Sequence, residues 1–200
     1  MTEITSPIFR IAVTGHRFLS DNKELSNAIR AVLDRIIQEH IDTEFHLFSA
    51  LAEGSDQLVA KIALSYQDIK LIVPLPLPEE EYLQGFASDT GRNSFHELTQ
   101  GAITVFTLPG QTDHPTAYDY LGNYLLDHCD VLIAIWNGEY SLKKGGTGEL
   151  VKRGLRMEKL IYWIYANNWI EKEEREARIK LQKKLGDIEI LGCSGDMSAD

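Results

Sequence analysis

Apolar residues in this chain follow two periodicities that alternate along its length. Short, compact, β-branched runs at 8–14 (IFRIAVT), 45–49, 69–75, 102–108, 131–136 (VLIAIW) and 160–165 (LIYWIY) read as strands. Between them lie stretches with helical spacing. The clearest carries Leu25, Ala28, Ile29, Val32, Leu33, Ile36 and Ile37 on one face. Leu58, Val59, Ile62, Ala63 and Tyr66 mark a second amphipathic helix. The 131–136 run has no polar alternation, so it predicts a strand covered on both faces. Strands alternating with helices predict an α/β fold: a Rossmann-like, doubly wound, mostly parallel sheet of about six strands with helices on both faces.

Boundary signals refine this pattern. Asp21 and Glu24 form a capping box ahead of the first helix. Prolines 74, 76 and 78 are expected to end the third strand, because proline cannot donate to a central ladder. Residues 79–86 predict a short acidic helix, and 90–100 admits either a helix or an ordered loop. A helix is expected over 115–128, with Pro115 near its start, and another over 148–155. The domain is expected to span 1–168. Beyond it, 169–186 predicts a charged helix, its acids early and its bases late as the helix dipole prefers, stopped by Gly186, and 187–200 reads as a tail. That helix could be a solvated face, pack on a sheet edge, contact a second copy or lead to another partner.

Composition narrows the function classes. A net charge of -10 disfavours broad binding to nucleic acid, which needs a basic surface. Cys129 and Cys193 are the only cysteines, too few for a disulfide framework or a zinc cluster. Cys129, just before a buried strand, reads as a core thiol. None of the six histidines shows metal-ligand spacing, so no metal site is expected. No apolar run approaches the ~20 residues of a membrane span, and the N-terminus lacks a signal-peptide pattern. A cytoplasmic protein is expected, with a homo-oligomer as its assembly.

Candidate chemistry concentrates in three loops at the carboxyl ends of strands, where open parallel sheets bind ligands. The first is Thr14-Gly15-His16-Arg17. Gly15 would admit close backbone approach, His16 could donate to a ligand, and Arg17 offers a fork for phosphate or carboxylate. A strand-ending glycine beside a surface arginine is the alternative. The second runs from Ser49 through Glu53 and Gly54 to Asp56. Glu53 could bond a ribose hydroxyl, and Asp56 either joins the ligand site or caps the next helix. The third follows the 131–136 strand, from Asn137 to Gly145, Gly146, Thr147 and Glu149, a glycine-containing turn into a helix N-terminus that suits an anion. Lys143 and Lys144 could add charge there, or be solvated. Glu149 in the first helical turn either acts on a ligand or stabilises the helix. Trp136 could stack on a base or belong to the core.

IAVTGHR at 11–17, FSALAEGSDQLVA at 48–60, LIVPLPLPEEEY at 71–82 and DVLIAIWNGE…GGTGELV at 130–151 together resemble the SLOG superfamily. That superfamily groups Rossmann-like domains of the DNA-processing DprA type, the LOG cytokinin-activating enzymes and the YpsA-like proteins. The resemblance covers roughly residues 8–166 and is nearest to the YpsA-like or bacterial-sensor branch, which implies a nucleotide-derived ligand such as an ADP-ribose derivative. LOG enzymes are similar in a PGGxGTxxE motif whose Glu serves N-glycosidic cleavage, with an upstream Arg-Lys pair. Nucleoside deoxyribosyltransferases are similar in a GTxxE-like turn. Here the loop reads KKGGTGE, lacks the proline, carries one residue fewer between Thr147 and Glu149, and has no Arg-Lys pair before it.

The expectation is therefore a nucleotide or nucleotide-sugar binding or sensing domain that requires no cofactor. Gly15, His16, Arg17, Ser49, Glu53, Gly54, Asp56, Asn137, Gly145, Gly146, Thr147 and Glu149 are its candidate ligand residues. The alternative is an N-glycosidase-type hydrolase or transferase with Glu149 as its catalytic residue.

Overall fold

The computed structural model describes residues 6–19, 23–110, 113–139, 146–167 and 184–192. Its elements run β1 (Ile8–Gly15), α1 (Lys23–Glu39), β2 (Glu44–Phe48), α2 (Ser55–Ala63), β3 (Ile69–Leu75), α3 (Glu79–Gln84), α4 (Asp89–Gln100), β4 (Ala102–Thr107), α5 (His114–Asp127), β5 (Val131–Trp136), α6 (Thr147–Arg156), β6 (Leu160–Tyr165) and β7 (Ile188–Leu191). One sheet holds all seven strands in the order β4-β3-β2-β1-β5-β6-β7. Every pairing is parallel except β6 with β7.

Burial explains the order. All six residues of β5 are buried, as a strand with neighbours on both sides and helices on both faces requires. β4 lies at the sheet edge, and of its six residues only Ala102 and Phe106 are even partly covered. On α1 the predicted apolar stripe is buried at Leu25, Ala28, Ile29, Val32, Leu33 and Ile36. Its Ile37 packs on the core from the margin.

Two boundary expectations change, and one left open is decided. Pro74 lies inside β3, opposite Phe106, instead of ending it. The β2–β3 ladder stops at Phe48 and Ile72, where Ser49 N–H donates to the Ile72 carbonyl at 3.1 Å, while the Leu75 carbonyl points to β4 and accepts from Leu108. Backbone groups alternate sides along a strand, so the N–H that Pro74 lacks would face a strand that has already ended. The 90–100 segment is helical: Ser88 caps α4 by accepting from Gly91 N–H at 3.0 Å. Residues 188–191, read as tail, instead form the seventh strand, antiparallel to β6. The charged 169–186 helix falls almost wholly outside the described residues, as do Asp21 of the capping box, Lys143, Lys144, Gly145 and Cys193. Gly186 (φ +83°) turns the chain into β7, its N–H donating to the Tyr165 carbonyl at 2.9 Å.

Candidate functional site

The chain leaves β1 towards β2 on one side and later places β5 on the other, so the order reverses between β1 and β5. At such a switch point the loops after the two strands diverge and leave a crevice at the carboxyl edge. Gly15 pairs with Ile135 there. The first loop, the loop after β5 and the start of α6 are thus brought to one edge, beside the loop after β2.

Gly15 has an internal reason to be glycine. A Cβ on it would stand 2.3 Å from Ser55 Oγ and 2.5 Å from the Ile135 carbonyl oxygen. Gly54 is similarly confined: its φ is +89°, and a Cβ would meet the Arg17 carbonyl at 2.4 Å. The two glycines let the first loop lie directly on the N-terminus of α2. Ser55 seals this contact by donating to the His16 carbonyl from both its N–H (3.0 Å) and its hydroxyl (2.9 Å). The α2 N-terminus is therefore occupied by protein. Asp56 does not cap the helix, because Gly54 is its N-cap and makes no side-chain bond.

His16 does not donate through Nε2, which accepts the Asn137 N–H at 3.0 Å. Burial lowers its pKa to about 4, against a smaller upward pull from the Asn137 side chain, so the ring is neutral at pH 7 with its proton on Nδ1. Asn137 is buried, and its carboxamide braces Glu139 by accepting its N–H at 3.1 Å. The Trp136 indole donates to the Glu139 carbonyl at 3.1 Å and is buried. Its ring packs against Trp163, which places it in the core instead of on a base.

Glu53 acquires the structural role that its sequence context did not suggest. Only 7% exposed, it accepts from the N–H groups of Ala87 (2.6 Å) and Ser88 (3.0 Å) and from the Ser88 hydroxyl (2.8 Å). A carboxylate there suits the positive end of α4. Gly91 leaves the room, since a Cβ on it would lie 2.1 Å from Glu53 Oε1. Arg17 joins from the other side. It donates to the Gly85 carbonyl at 2.7 Å, approaches Glu53 at 3.6 Å and lies 5.9 Å from the Phe86 ring centroid, while 41% of its side chain stays exposed. Arg17 and Glu53 together tie residues 79–88 across the carboxyl ends of β1 and β2.

Beneath that strap is a buried polar cluster. Ser49 is fully buried and its hydroxyl accepts the Leu51 N–H at 3.1 Å. Leu51 itself has φ +56°, a left-handed conformation held by the loop around it, since Gln57 donates to its carbonyl at 3.1 Å. Asp56 is 7% exposed, and burial raises its pKa to about 7 against bonds to the Ala52 backbone and the Ser49 hydroxyl and the attraction of Arg17. Tyr82, on α3, is 2% exposed, and its hydroxyl has no hydrogen-bond partner. Burial raises its pKa well above the usual range, and Asp56 is the charged group it feels most. Half-buried Tyr118, from α5, packs its ring on that of Tyr82 at 6.2 Å. Tyr82 and Tyr118 escaped the sequence argument because their elements meet only in the folded chain; an Asp in a polar loop before a helix was the one visible signal.

On the β5 side, Gly146 is the N-cap of α6 and makes no side-chain bond. Thr147 begins the helix and is partly exposed. Glu149 accepts from Arg153 at 3.2 Å, and Arg153 also binds Asp119 at 2.7 Å and Asn123. Glu149 is thus one partner in an ion-pair network that fastens α6 to α5, the helix-stabilising alternative.

A cavity of about 540 Å³ lies on the opposite edge of the sheet, lined by His40, Asp42, Thr43, Glu44, Asp68 and Lys70 among others. Among the described residues no cluster of three His, Cys, Asp or Glu side chains could hold a metal ion. None of their helices is long and apolar enough to cross a membrane. Cys129 is buried, and burial raises its thiol pKa to about 11.

Fold and edge geometry define an α/β protein of the Rossmann-like, doubly wound class. No protein-family model matches the chain, and no curated protein is significantly similar to it.

Proposed function

We propose that this chain binds a nucleotide or nucleotide-sugar, ADP-ribose-like in character, at the carboxyl edge of its sheet. The observation that carries the reading is the strand-order reversal at β1 and β5, which puts the loops carrying Arg17, Asn137 and the Gly146-Thr147 start of α6 at the carboxyl edge of the sheet. Arg17 is the anion-binding side chain, since its guanidinium is partly exposed and already engages oxygen atoms. The start of α6 supplies the dipole for a phosphate. The resemblance to SLOG domains supports the same ligand class.

The test is incubation with AMP, deoxynucleosides, NAD and ADP-ribose, followed by thermal denaturation and assay for free base. Stabilisation by a nucleotide without base release is expected. Base release at turnover rates, abolished by Glu149→Gln, would instead identify an N-glycosidase; the Glu149–Arg153 pair favours binding. A homo-oligomer belongs to the same proposal, supported by the uncharged edge strand β4, where Ile103 is 55% exposed. Light scattering on the intact chain tests it.

A further inference from the structure

β4 is the strand whose outer side the fold leaves unfinished. It ends the sheet, and among the described residues no strand pairs beyond it. Sheet edges are normally guarded by charge, proline, a short strand or a bulge. The opposite edge has such guards, since β7 is four residues long and carries Glu189. β4 has one only at its start, where the β3 register shifts at Leu71 and Ile72 and leaves Ile103 unmatched. From Thr104 to Thr107 the pairing is regular. The sequence has no Asp, Glu, Lys or Arg from Leu98 to Thr112, the longest such run in a chain with 25% charged residues. The Leu108 N–H donates inward to the Leu75 carbonyl at 2.8 Å. Alternation along the strand then turns the N–H and carbonyl groups of Val105 and Thr107 outward.

The side chains around these outward groups are apolar or aromatic. Ile103 is 55% exposed and Val105 37%. On the face that carries Phe106, Tyr124 of α5 meets its ring edge-on at 5.9 Å. Tyr120, one turn earlier, is 38% exposed, and the His128 ring stacks on Tyr124 at 3.9 Å. Spaced four residues apart, the three rings share one side of α5 and its end. We propose that β4 is a self-pairing edge. Two copies of this chain join through it, antiparallel across a two-fold axis, so that Val105 and Thr107 bond backbone to backbone and the two aromatic rows of α5 approach each other. This rests on the homo-oligomer reading given above and gives it a surface. At -10 per copy, two chains repel at long range, and an uncharged edge is where their contact costs least. A foreign strand would be selected by charge or by side-chain pockets, and this edge offers neither. An identical strand needs only symmetry, because a two-fold contact uses the same patch on both sides. One continuous sheet then spans both copies, and no β4 edge is left to recruit further chains.

The test is sedimentation velocity on the intact chain over about a hundredfold range of concentration, with hydrogen exchange at the same concentrations. A reversible dimer is expected, in which the 102–108 amides exchange more slowly as concentration rises. Ile103→Lys combined with Val105→Lys puts like charges at the contact and is expected to weaken the dimer at least about tenfold. Ile188→Lys, at a residue 40% exposed on the other sheet edge, is expected to leave it unchanged. A chain that stays monomeric throughout would overturn the interface and the homo-oligomer reading together, and leave the edge to a strand from another protein. A dimer that the β4 variant leaves unchanged, or whose 102–108 exchange ignores concentration, would overturn the β4 interface and leave the homo-oligomer standing on another surface. The exchange experiment uses the wild-type chain, so it decides the proposal even where the lysine variant fails to fold.

Discussion

Asp56→Asn isolates the energetic consequence of burying one carboxyl. The side chain has a folded pKa of about 7 against 3.8 for the free group. The sign follows from which state holds the proton. Between those two values the native protein keeps Asp56 protonated while the unfolded chain has released its proton, so unfolding loses a proton and stability falls as pH rises. At 1.36 kcal/mol per pKa unit, the carboxyl's contribution to stability declines by about 4 kcal/mol from pH 4 to above pH 7. His16 acts in the opposite sense. Its pKa falls from 6.5 to about 4 on folding, so the unfolded chain takes up a proton first and stability falls as pH drops below 6.5. The two slopes oppose each other between about pH 4 and 6.5, and the wild-type curve alone would look flat there. The informative quantity is the difference between wild type and Asp56→Asn, measured by urea denaturation at intervals from pH 4 to 8. The variant is expected to gain on the wild type with rising pH, by about 4 kcal/mol in total. A difference that stays constant across that range would refute the claim that Asp56 is buried without adequate compensation.

Four further outcomes follow from the same geometry. His16→Gln should flatten the acid limb of the stability profile by up to about 3 kcal/mol between pH 6.5 and 4; an acid limb identical to that of the wild type would count against the buried, accepting imidazole. Gly15→Ala forces a Cβ within 2.5 Å of the Ile135 carbonyl, and a loss of about 1–3 kcal/mol is expected in chemical denaturation. Glu53→Ala leaves the N–H groups of Ala87 and Ser88 without their acceptor and should cost about 1–3 kcal/mol, with faster proteolysis at 79–92; unchanged cleavage would show that the strap is held by other means. Tyr82→Phe should leave stability unchanged or raise it, by up to about 1 kcal/mol, and a clear loss in thermal denaturation would reveal a partner for the hydroxyl.

The architecture was legible because it depends on local pattern. Runs such as 131–136 and 160–165 have the length and β-branched content of buried strands, and their bounds in the folded chain agree with the apolar runs themselves. Ile188–Leu191 was not legible, because IEIL is too short to register as a strand until β6 offers it a ladder. Pro74 misled for a related reason: whether its missing N–H matters depends on where the neighbouring strand ends.

For the candidate site, the sequence by itself placed glycines, an arginine and acidic residues at strand ends, which determined that the carboxyl edge is chemically unusual. Side-chain roles were decided only by tertiary structure. Glu53 and Glu149 are both carboxylates near helix starts, yet one receives three donors from the two residues that lead into α4, thirty-odd residues later, and the other an arginine one turn away. Gly15 is glycine because α2 and β5 close on it. Among the described residues the carboxyl whose pKa burial raises to about 7 is Asp56, for which the sequence left open helix capping. Patterns of hydrophobicity act over a few residues and are written in order along the chain. Desolvation and hydrogen-bond satisfaction are properties of whatever the fold brings within a few ångströms, and no linear spacing encodes them.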